Sequence, residues 1–241
     1  MAWTHHILLP GLPASSTRGA LGWCNVVLLQ DGDRRLLFDT GSHGDRAPLL
    51  AALAGLGLDP EDIDTVFLSH FHYDHVLNAE IFPRARVFLS EAEQAYVAEN
   101  GFRRAMDPYV PELLLTHLRP RLELVRDGQE VLPGLVALAL PGHTPGVMGL
   151  LSRESGVLLA GDGVKNAWEF SRDQAPPCFG QPEQALESYA RVRALGGLVI
   201  PGHDRPFRLG AGGALERPPI QPLEVCLYLD PGERPRVWTM P

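Results

Sequence analysis

The chain has 241 residues, enough for one large α/β domain or two small ones, and long enough to bury a core without covalent staples. Its hydrophobic fraction, 45%, is that of an ordinary globular protein. The net charge of −8 argues against nucleic acid or an anionic membrane surface as the main partner.

In chain order, residues 23–30 and 34–38 read as strands joined by Asp31-Gly32-Asp33, a turn that tolerates positive φ. Leu49, Leu50, Leu53 and Leu56 recur at helical spacing within 45–58, and Gly57 before Pro60 closes that helix. Residues 65–69 form a short apolar strand of the buried kind. A strand is expected at 85–89, then a helix at 91–100 opened by Ser90 with Glu93 three positions on, the spacing of a capping box. Segment 101–120, with Phe102, Met106 and Tyr109, reads either as an apolar lid over a substrate or as a helix covering the core; Pro108, Pro111 and Pro120 interrupt it. Short strands are expected near 121–125, 135–140, 147–151 and 157–160, followed by a helix at 182–195 and the strand Leu198–Ile200. The tail, 224–230 and 235–239, reads as a closing hairpin.

The two halves echo each other. A strand ending in LLFDTG leads through a helix to the strand FLSH; later, LLAGDG leads through a helix to LVIPGH. Polar residues thus recur at strand ends, where α/β sheets place their chemistry.

Three cysteines, Cys24, Cys178 and Cys226, without a CxxC spacing suit a reducing cytosol better than a disulfide framework. The first residues lack the pattern of a secretory leader, and no run approaches the roughly 20 apolar residues of a membrane span. A cytoplasmic protein with no membrane partner is expected.

The chemistry is concentrated in Ser69-His70-Phe71-His72-Tyr73-Asp74-His75, directly after an apolar strand. Residues i and i+2 of an extended segment point the same way, so His70 and His72 can converge on one ion. Asp74 and His75 lie past a turn and can face a neighbouring position. Imidazole and carboxylate suit zinc, iron or manganese without a thiolate. In an alternating reading Tyr73 faces away and packs. Later segments add His143 in PGHTPG, Asp162 in AGDG, where a carboxylate can bridge two cations, and His203 in PGHD.

The ordered set HxHxDH…H…D…H resembles the metallo-β-lactamase superfamily from about Asn25 to Asp204. The resemblance implies an α/β fold, a four-layer αββα sandwich, here as a single domain over 1–241. It implies that His70, His72 and His143 hold a first metal and Asp74, His75 and His203 a second. Asp162 would bridge the two, and Asp39 in LFDTG would support the metal loop. Two divalent ions are expected, zinc first, with iron or manganese as alternatives.

Such a pair holds a hydroxide of lowered pKa that attacks a small ester, lactone or thioester, with Asp74 orienting it or shuttling a proton. Among family branches, lactonase-like members resemble the chain most in size and in the His203-Asp204 pair, although they place a Tyr where Lys165 stands. Glyoxalase II-like thioesterases and mononuclear iron persulfide dioxygenases are the alternatives. The former carry a C-terminal helical domain, and the latter a GRTDFQ-like stretch, that this sequence lacks. A small-molecule substrate is the expected partner, with a homodimer as an option in which Trp3, Trp23 and Trp238 lie near the shared surface. Lys165, the only lysine, is expected at the exposed surface, with contact to an anionic substrate group as the alternative.

Overall fold

The computed structural model describes residues 3–17, 19–210, 214–219, 223–227 and 234–240. The first half contains β1 (Thr4–Leu9), the short hairpin β2 (Ser15–Ser16) and β3 (Gly19–Ala20), β4 (Val26–Asp31) and β5 (Arg34–Phe38). It continues with α1 (Arg46–Gly55), β6 (Thr65–Phe67), α2 (Tyr73–Val76), β7 (Arg86–Ser90), α3 (Glu91–Ala98), α4 (Gly101–Arg104), α5 (Glu112–Leu118) and β8 (Leu122–Val125). The second half contains β9 (Glu130–Leu132), β10 (Leu135–Ala139), β11 (Met148–Ser152), β12 (Val157–Gly161), α6 (Ala167–Ser171), α7 (Pro182–Leu195) and β13 (Leu198–Pro201). The remaining strands are β14 (Phe207–Leu209), β15 (Leu215–Glu216), β16 (Leu223–Leu227) and β17 (Arg236–Met240).

One sheet has six strands in the order β1-β4-β5-β6-β7-β8, the other seven in the order β15-β14-β13-β12-β11-β10-β9. The predicted repeat is visible in both. β4–β5 is an antiparallel pair followed through α1 by the parallel strand β6; β11–β12 is an antiparallel pair followed through α6 and α7 by the parallel strand β13.

Strand alternation divides the apolar residues between faces. Val27 and Leu29 of β4 pack with Phe38, Phe67, Leu135, Leu150 and Ile200 between the sheets, whereas Val26 and Leu28 face Leu49 and Leu53 of α1. On the far side, Leu158 and Val199 meet Phe170, Tyr189 and Val192 of α6 and α7. The outcome is four layers, helix–sheet–sheet–helix, as the resemblance implied. Each sheet has both faces covered, which is why its strands read as apolar runs rather than as clean alternation.

Several local expectations shift. The first strand of the β4–β5 pair begins at Val26, because Trp23 bridges back to Leu12 instead. β1, β9 and the β2–β3 hairpin were not anticipated. Trp3 is buried between the sheets and donates its indole N–H to the Pro133 carbonyl at 2.9 Å, so it belongs to no outer surface. Trp23 and Trp238 are exposed. The tail hairpin is present as β16 and β17, and residues 228–230 of its predicted first arm lie outside the described residues.

The 101–120 segment does not form a lid as a unit. Phe102 and Leu115 point into the core while Met106 and Leu113 are 86% and 83% exposed; only Tyr109 reaches the cavity described below. No helix among the described residues is long and apolar enough to cross a membrane.

Candidate metal centre

β6, β12 and β13 end at one edge of the sandwich, and the chemical residues follow within a few positions of each. Asp162 begins directly after Gly161, whose φ of +51° suits glycine. His203 follows Gly202, where a Cβ would lie 2.0 Å from Asp162 Oδ1. The small residues of AGDG and PGHD thus let two strand ends close on one carboxylate. The PGHTPG loop after β10 brings His143 to the same place.

All seven predicted ligands converge, and all are buried. His143 Nε2 lies 3.0 Å from His72 Nδ1, and ligand atoms of His70, His72 and His143 all lie within 4.8 Å of one another. Asp74, His75 and His203 form a second such group, with His75 Nε2 3.2 Å from His203 Nε2 and Asp74 Oδ2 3.4 Å from the latter. Asp162 stands between them. Its Oδ1 lies 3.2 Å from His203 Nε2 and 3.5 Å from His75 Nε2, while its Oδ2 lies 3.3 Å from His143 Nε2. His70 also lies within 4.8 Å of ligand atoms of His75 and Asp162, so the two groups adjoin.

The site also passes a test of fit for a cation. His70 Nε2 and Asp162 Oδ1 are buried without a hydrogen-bond partner. Buried polar atoms are rarely left so, and a metal ion between imidazole nitrogens and carboxylate oxygens would satisfy both. Cys24 lies near Asp39 and His75, but burial pushes its thiol up to about 12, against the thiolate that metal ligation needs.

A second layer holds these rings. Asp39 accepts from the Ser69 amide (2.7 Å) and hydroxyl (2.8 Å) and sits 2.8 Å from His75 Nδ1. The family position therefore does support the metal loop. His203 Nδ1 and His143 Nδ1 lie 2.9 and 2.6 Å from the carbonyls of Trp23 and Pro177, which fixes each ring's other nitrogen toward the centre.

His72 is turned the opposite way, with Nδ1 inward and Nε2 2.9 Å from Asp107 Oδ2. The Tyr96 hydroxyl also donates to Asp107 Oδ2, at 3.0 Å. Asp107 was not found from the sequence; it stands 35 positions from His72 and carries no motif. Asp107→Ala is expected to weaken metal retention about 10–100-fold while leaving the fold intact, since outer-shell partners of ligating histidines typically contribute that much. Competitive titration against a chelating dye measures it; retention equal to wild type would remove Asp107 from this role.

Charge and burial compete at the centre. Burial lowers the pKa of His70 well below the ordinary value and that of His143 to about 3, so both are neutral ligands at any working pH. Burial would raise Asp162, but His203, Lys165, His75 and His143 outweigh it and hold the carboxyl well below its usual range. His75 is the reverse case: burial opposes its proton, yet the carboxylates of Asp39, Asp74 and Asp162 around it lift its pKa well above the ordinary value. An ion taking that nitrogen must displace the proton, so metal affinity is expected to rise with pH and uptake to release protons. Calorimetry in buffers of different ionisation enthalpy tests this, and uptake without proton release would contradict it.

Lys165 is neither exposed nor free. Its Nζ lies 2.6 Å from Asp162 Oδ2, and its side chain is 16% exposed. The short turn after Asp162 places it three residues on, and the buried carboxylate claims it. This overturns the surface reading, and Lys165 also stands in the wall of the cavity over the centre. Tyr73 also departs from expectation. α2 starts at this residue, so strand alternation stops at His72, and the ring lines the cavity.

That cavity, about 260 Å³, opens over the centre and is lined by His72, Asp74, His143 and His203 on the metal side. Leu12, Pro13, Tyr109, Pro177 and Phe179 form much of the remaining wall. Asn25 anchors the N-terminal part: its side chain accepts from the Gly11 amide at 2.8 Å and donates to the carbonyls of Pro201 and Asp204, both at 2.7 Å. Asp204 itself lies outside the centre. It accepts from the Ala167 amide and pairs with Arg217, and so positions α6.

A four-layer αββα sandwich with imidazoles and carboxylates gathered at one end of both sheets is the build of a metal-dependent hydrolase. The sequence pattern of the metallo-beta-lactamase superfamily matches residues 21–203, and the chain belongs to that superfamily. It is 30% identical to metallo-beta-lactamase domain-containing protein 1 of Xenopus laevis, over 87% of this chain and 83% of that protein. It is 31% identical to an N-acyl homoserine lactonase of Agrobacterium fabrum, over 75% of this chain and 79% of the relative. Among solved structures, a dizinc quorum-quenching lactonase with a bound product superposes with a TM-score of 0.67 at 21% identity. That match covers 82% of this chain and 79% of the lactonase.

Proposed function

We propose that the chain binds two divalent cations, zinc first, and hydrolyses a small ester or lactone. The observation that carries this is the convergence of two buried ligand groups on Asp162, with His70 Nε2 and Asp162 Oδ1 lacking a hydrogen-bond partner, beneath an open and largely apolar cavity. His70, His72 and His143 would hold one ion, and Asp74, His75 and His203 the other, with Asp162 between. The similarity to a lactonase supports the substrate class. In both groups the ligand atoms lie within 4.8 Å of one another, which supports a two-ion site over a mononuclear iron dioxygenase.

When bound, such ions supply Lewis acidity and a water that ionises near neutral pH. The chain's own groups do the rest. Burial would raise the Asp74 carboxyl, but His75 and His203 outweigh it, so Asp74 is ionised at neutral pH. Lining the cavity, it can orient a nucleophilic water and take its proton in passing. Lys165 keeps the Asp162 carboxylate charged and in place. Leu12, Pro13 and Phe179 exclude bulk water from the acyl or alkyl part of the substrate and seat it by burial, at about 25 cal/mol per Å² of apolar surface.

Elemental mass spectrometry of tag-free protein, combined with a panel of lactones, esters and thioesters, tests the proposal. About two ions per chain, with ester or lactone turnover that a chelator abolishes and zinc restores, is the expected result. One iron per chain with oxygen consumption on persulfides would replace this reading by the dioxygenase.

A further inference from the structure

Tyr73 lines the cavity together with His72 and Asp74, and the mechanism above leaves it unused. Its place is fixed by Tyr109: the Tyr73 amide donates to the Tyr109 carbonyl at 2.9 Å, and the two ring centroids lie 6.0 Å apart. The Tyr73 hydroxyl lies against Gly22, where a Cβ would stand 2.5 Å from it and 3.6 Å from Asp74 Cβ. The missing side chain thus leaves the phenol room beside Asp74. Among the described residues no protein group hydrogen-bonds this oxygen, and it keeps accessible surface on a half-buried side chain.

The other side-chain donors of the cavity, the imidazoles aside, are committed or stand elsewhere. Lys165 is held by Asp162, and Asn166 is engaged with Glu169. Ser15 is exposed on the β2–β3 hairpin, and the Tyr109 hydroxyl faces that hairpin, 3.3 Å from where a Cβ of Gly19 would lie. In the hydrolysis proposed above, Asp74 takes a proton from the attacking water. That proton is due to the leaving oxygen, which must therefore come to the Asp74 side of the centre, beside Tyr73.

We propose that Tyr73 is a catalytic residue whose hydroxyl donates a hydrogen bond to the leaving oxygen as the acyl–oxygen bond breaks, and that this contact sets the site for oxygen esters and lactones over thioesters. The electron pair of the broken bond goes to the leaving oxygen, which takes the proton carried by Asp74; Tyr73 keeps its own. A donor aimed where charge develops acts on the transition state, and sulfur is a weak acceptor compared with such an oxygen. This rests on the ester or lactone hydrolase reading and names the leaving group that the site selects.

The test uses the zinc-reconstituted full chain and matched pairs of an alkyl ester and a thioester with the same acyl and alkyl chains. Tyr73→Phe removes the hydroxyl and keeps the ring. It is expected to lower kcat/KM on the ester at least about tenfold and on the thioester by no more than about twofold. The loss should fall on kcat rather than KM, as for a contact made in the transition state. A hydroxyl with a merely structural part would lower both substrates alike. A common loss, no loss on the ester, or an ester-selective loss in Tyr109→Phe instead of Tyr73→Phe overturns the assignment.

Calorimetric binding of a hydroxy acid, the product of lactone opening, and of its deoxy analogue to wild type and Tyr73→Phe separates the two readings. The hydroxyl of that acid is the former leaving oxygen. A preference for the hydroxy acid that Tyr73→Phe removes, without turnover of any ester or lactone, would sink the hydrolase and keep the Tyr73 contact. Turnover without an ester-selective loss in Tyr73→Phe would do the opposite, and neither preference nor turnover would end both.

Discussion

Asp162→Ala is expected to abolish stable metal binding, to lower hydrolytic turnover by at least about 10³-fold, and to destabilise the protein even without metal. The first two effects follow from its position between both ligand groups, 3.2–3.5 Å from His143, His75 and His203. In the proposed two-ion site this carboxylate would support both ions, so its loss would not be confined to one. The third effect is electrostatic. Lys165 Nζ is held 2.6 Å from Asp162 Oδ2, and removing one partner of a buried pair leaves an uncompensated charge that typically costs about 3–5 kcal/mol.

The sign against pH follows from the depressed Asp162 pKa. A carboxyl held below its unfolded value contributes stability that is present at neutral pH and lost as pH falls through its folded value. The deficit of the variant is therefore full at pH 7 and shrinks in acid. Urea unfolding of chelator-treated wild type and variant at pH 7 and stepwise below the ordinary carboxyl range of about pH 4 measures it, and equal stability at pH 7 would refute the pairing argument.

Glu93→Ala is expected to be the most damaging substitution outside the ligands themselves. Ser90 does cap α3, its hydroxyl accepting from the Glu93 amide at 3.0 Å, but the Glu93 side chain does not return to complete a capping box. It is diverted inward and fully buried. One oxygen accepts from the Phe71 amide at 2.9 Å, between His70 and His72; the other accepts from the Thr144 hydroxyl at 2.6 Å and the Gly146 amide at 3.1 Å, beside His143. A single carboxylate therefore clips together the two loops that carry His70, His72 and His143.

Burial raises the Glu93 carboxyl, with the hydrogen bonds from Thr144 and Phe71 opposing it. Truncation would orphan three buried donors at about 1–3 kcal/mol each, less some relaxation, so a net loss of about 3–5 kcal/mol is expected. Against a total stability of about 5–15 kcal/mol that is a large fraction. Metal affinity should fall about 10–100-fold. Glu93→Gln keeps acceptance on one side only, since its amide nitrogen faces a donor on the other, and should lie between. Full metal affinity in Glu93→Gln together with Glu93→Ala would show that the loops hold themselves.

Much of this protein was legible without coordinates. The run His70–His75 follows a buried strand, and HxHxDH, PGHT, AGDG and PGHD stand in one order. Their chemistry is local: each motif sits where a strand ends, and its small residues mark close backbone approach, as Gly202 against Asp162 shows. The helix at 182–195 and the repeat of antiparallel pair, helix and parallel strand were equally readable, because periodicity is a property of neighbouring residues.

What only the tertiary structure decided is which distant groups meet. Asp107 reaches His72 across 35 positions, Glu93 joins loops more than 50 positions apart, and Lys165 turns inward because Asp162 is there to hold it. Trp3 is core because a second sheet covers it, and Tyr73 lines the cavity because α2 starts at that residue. A capping spacing or a lone lysine has a default meaning on an isolated element. Once burial removes water, the strongest available partner takes precedence over that default, and the partner is set by packing rather than by spacing.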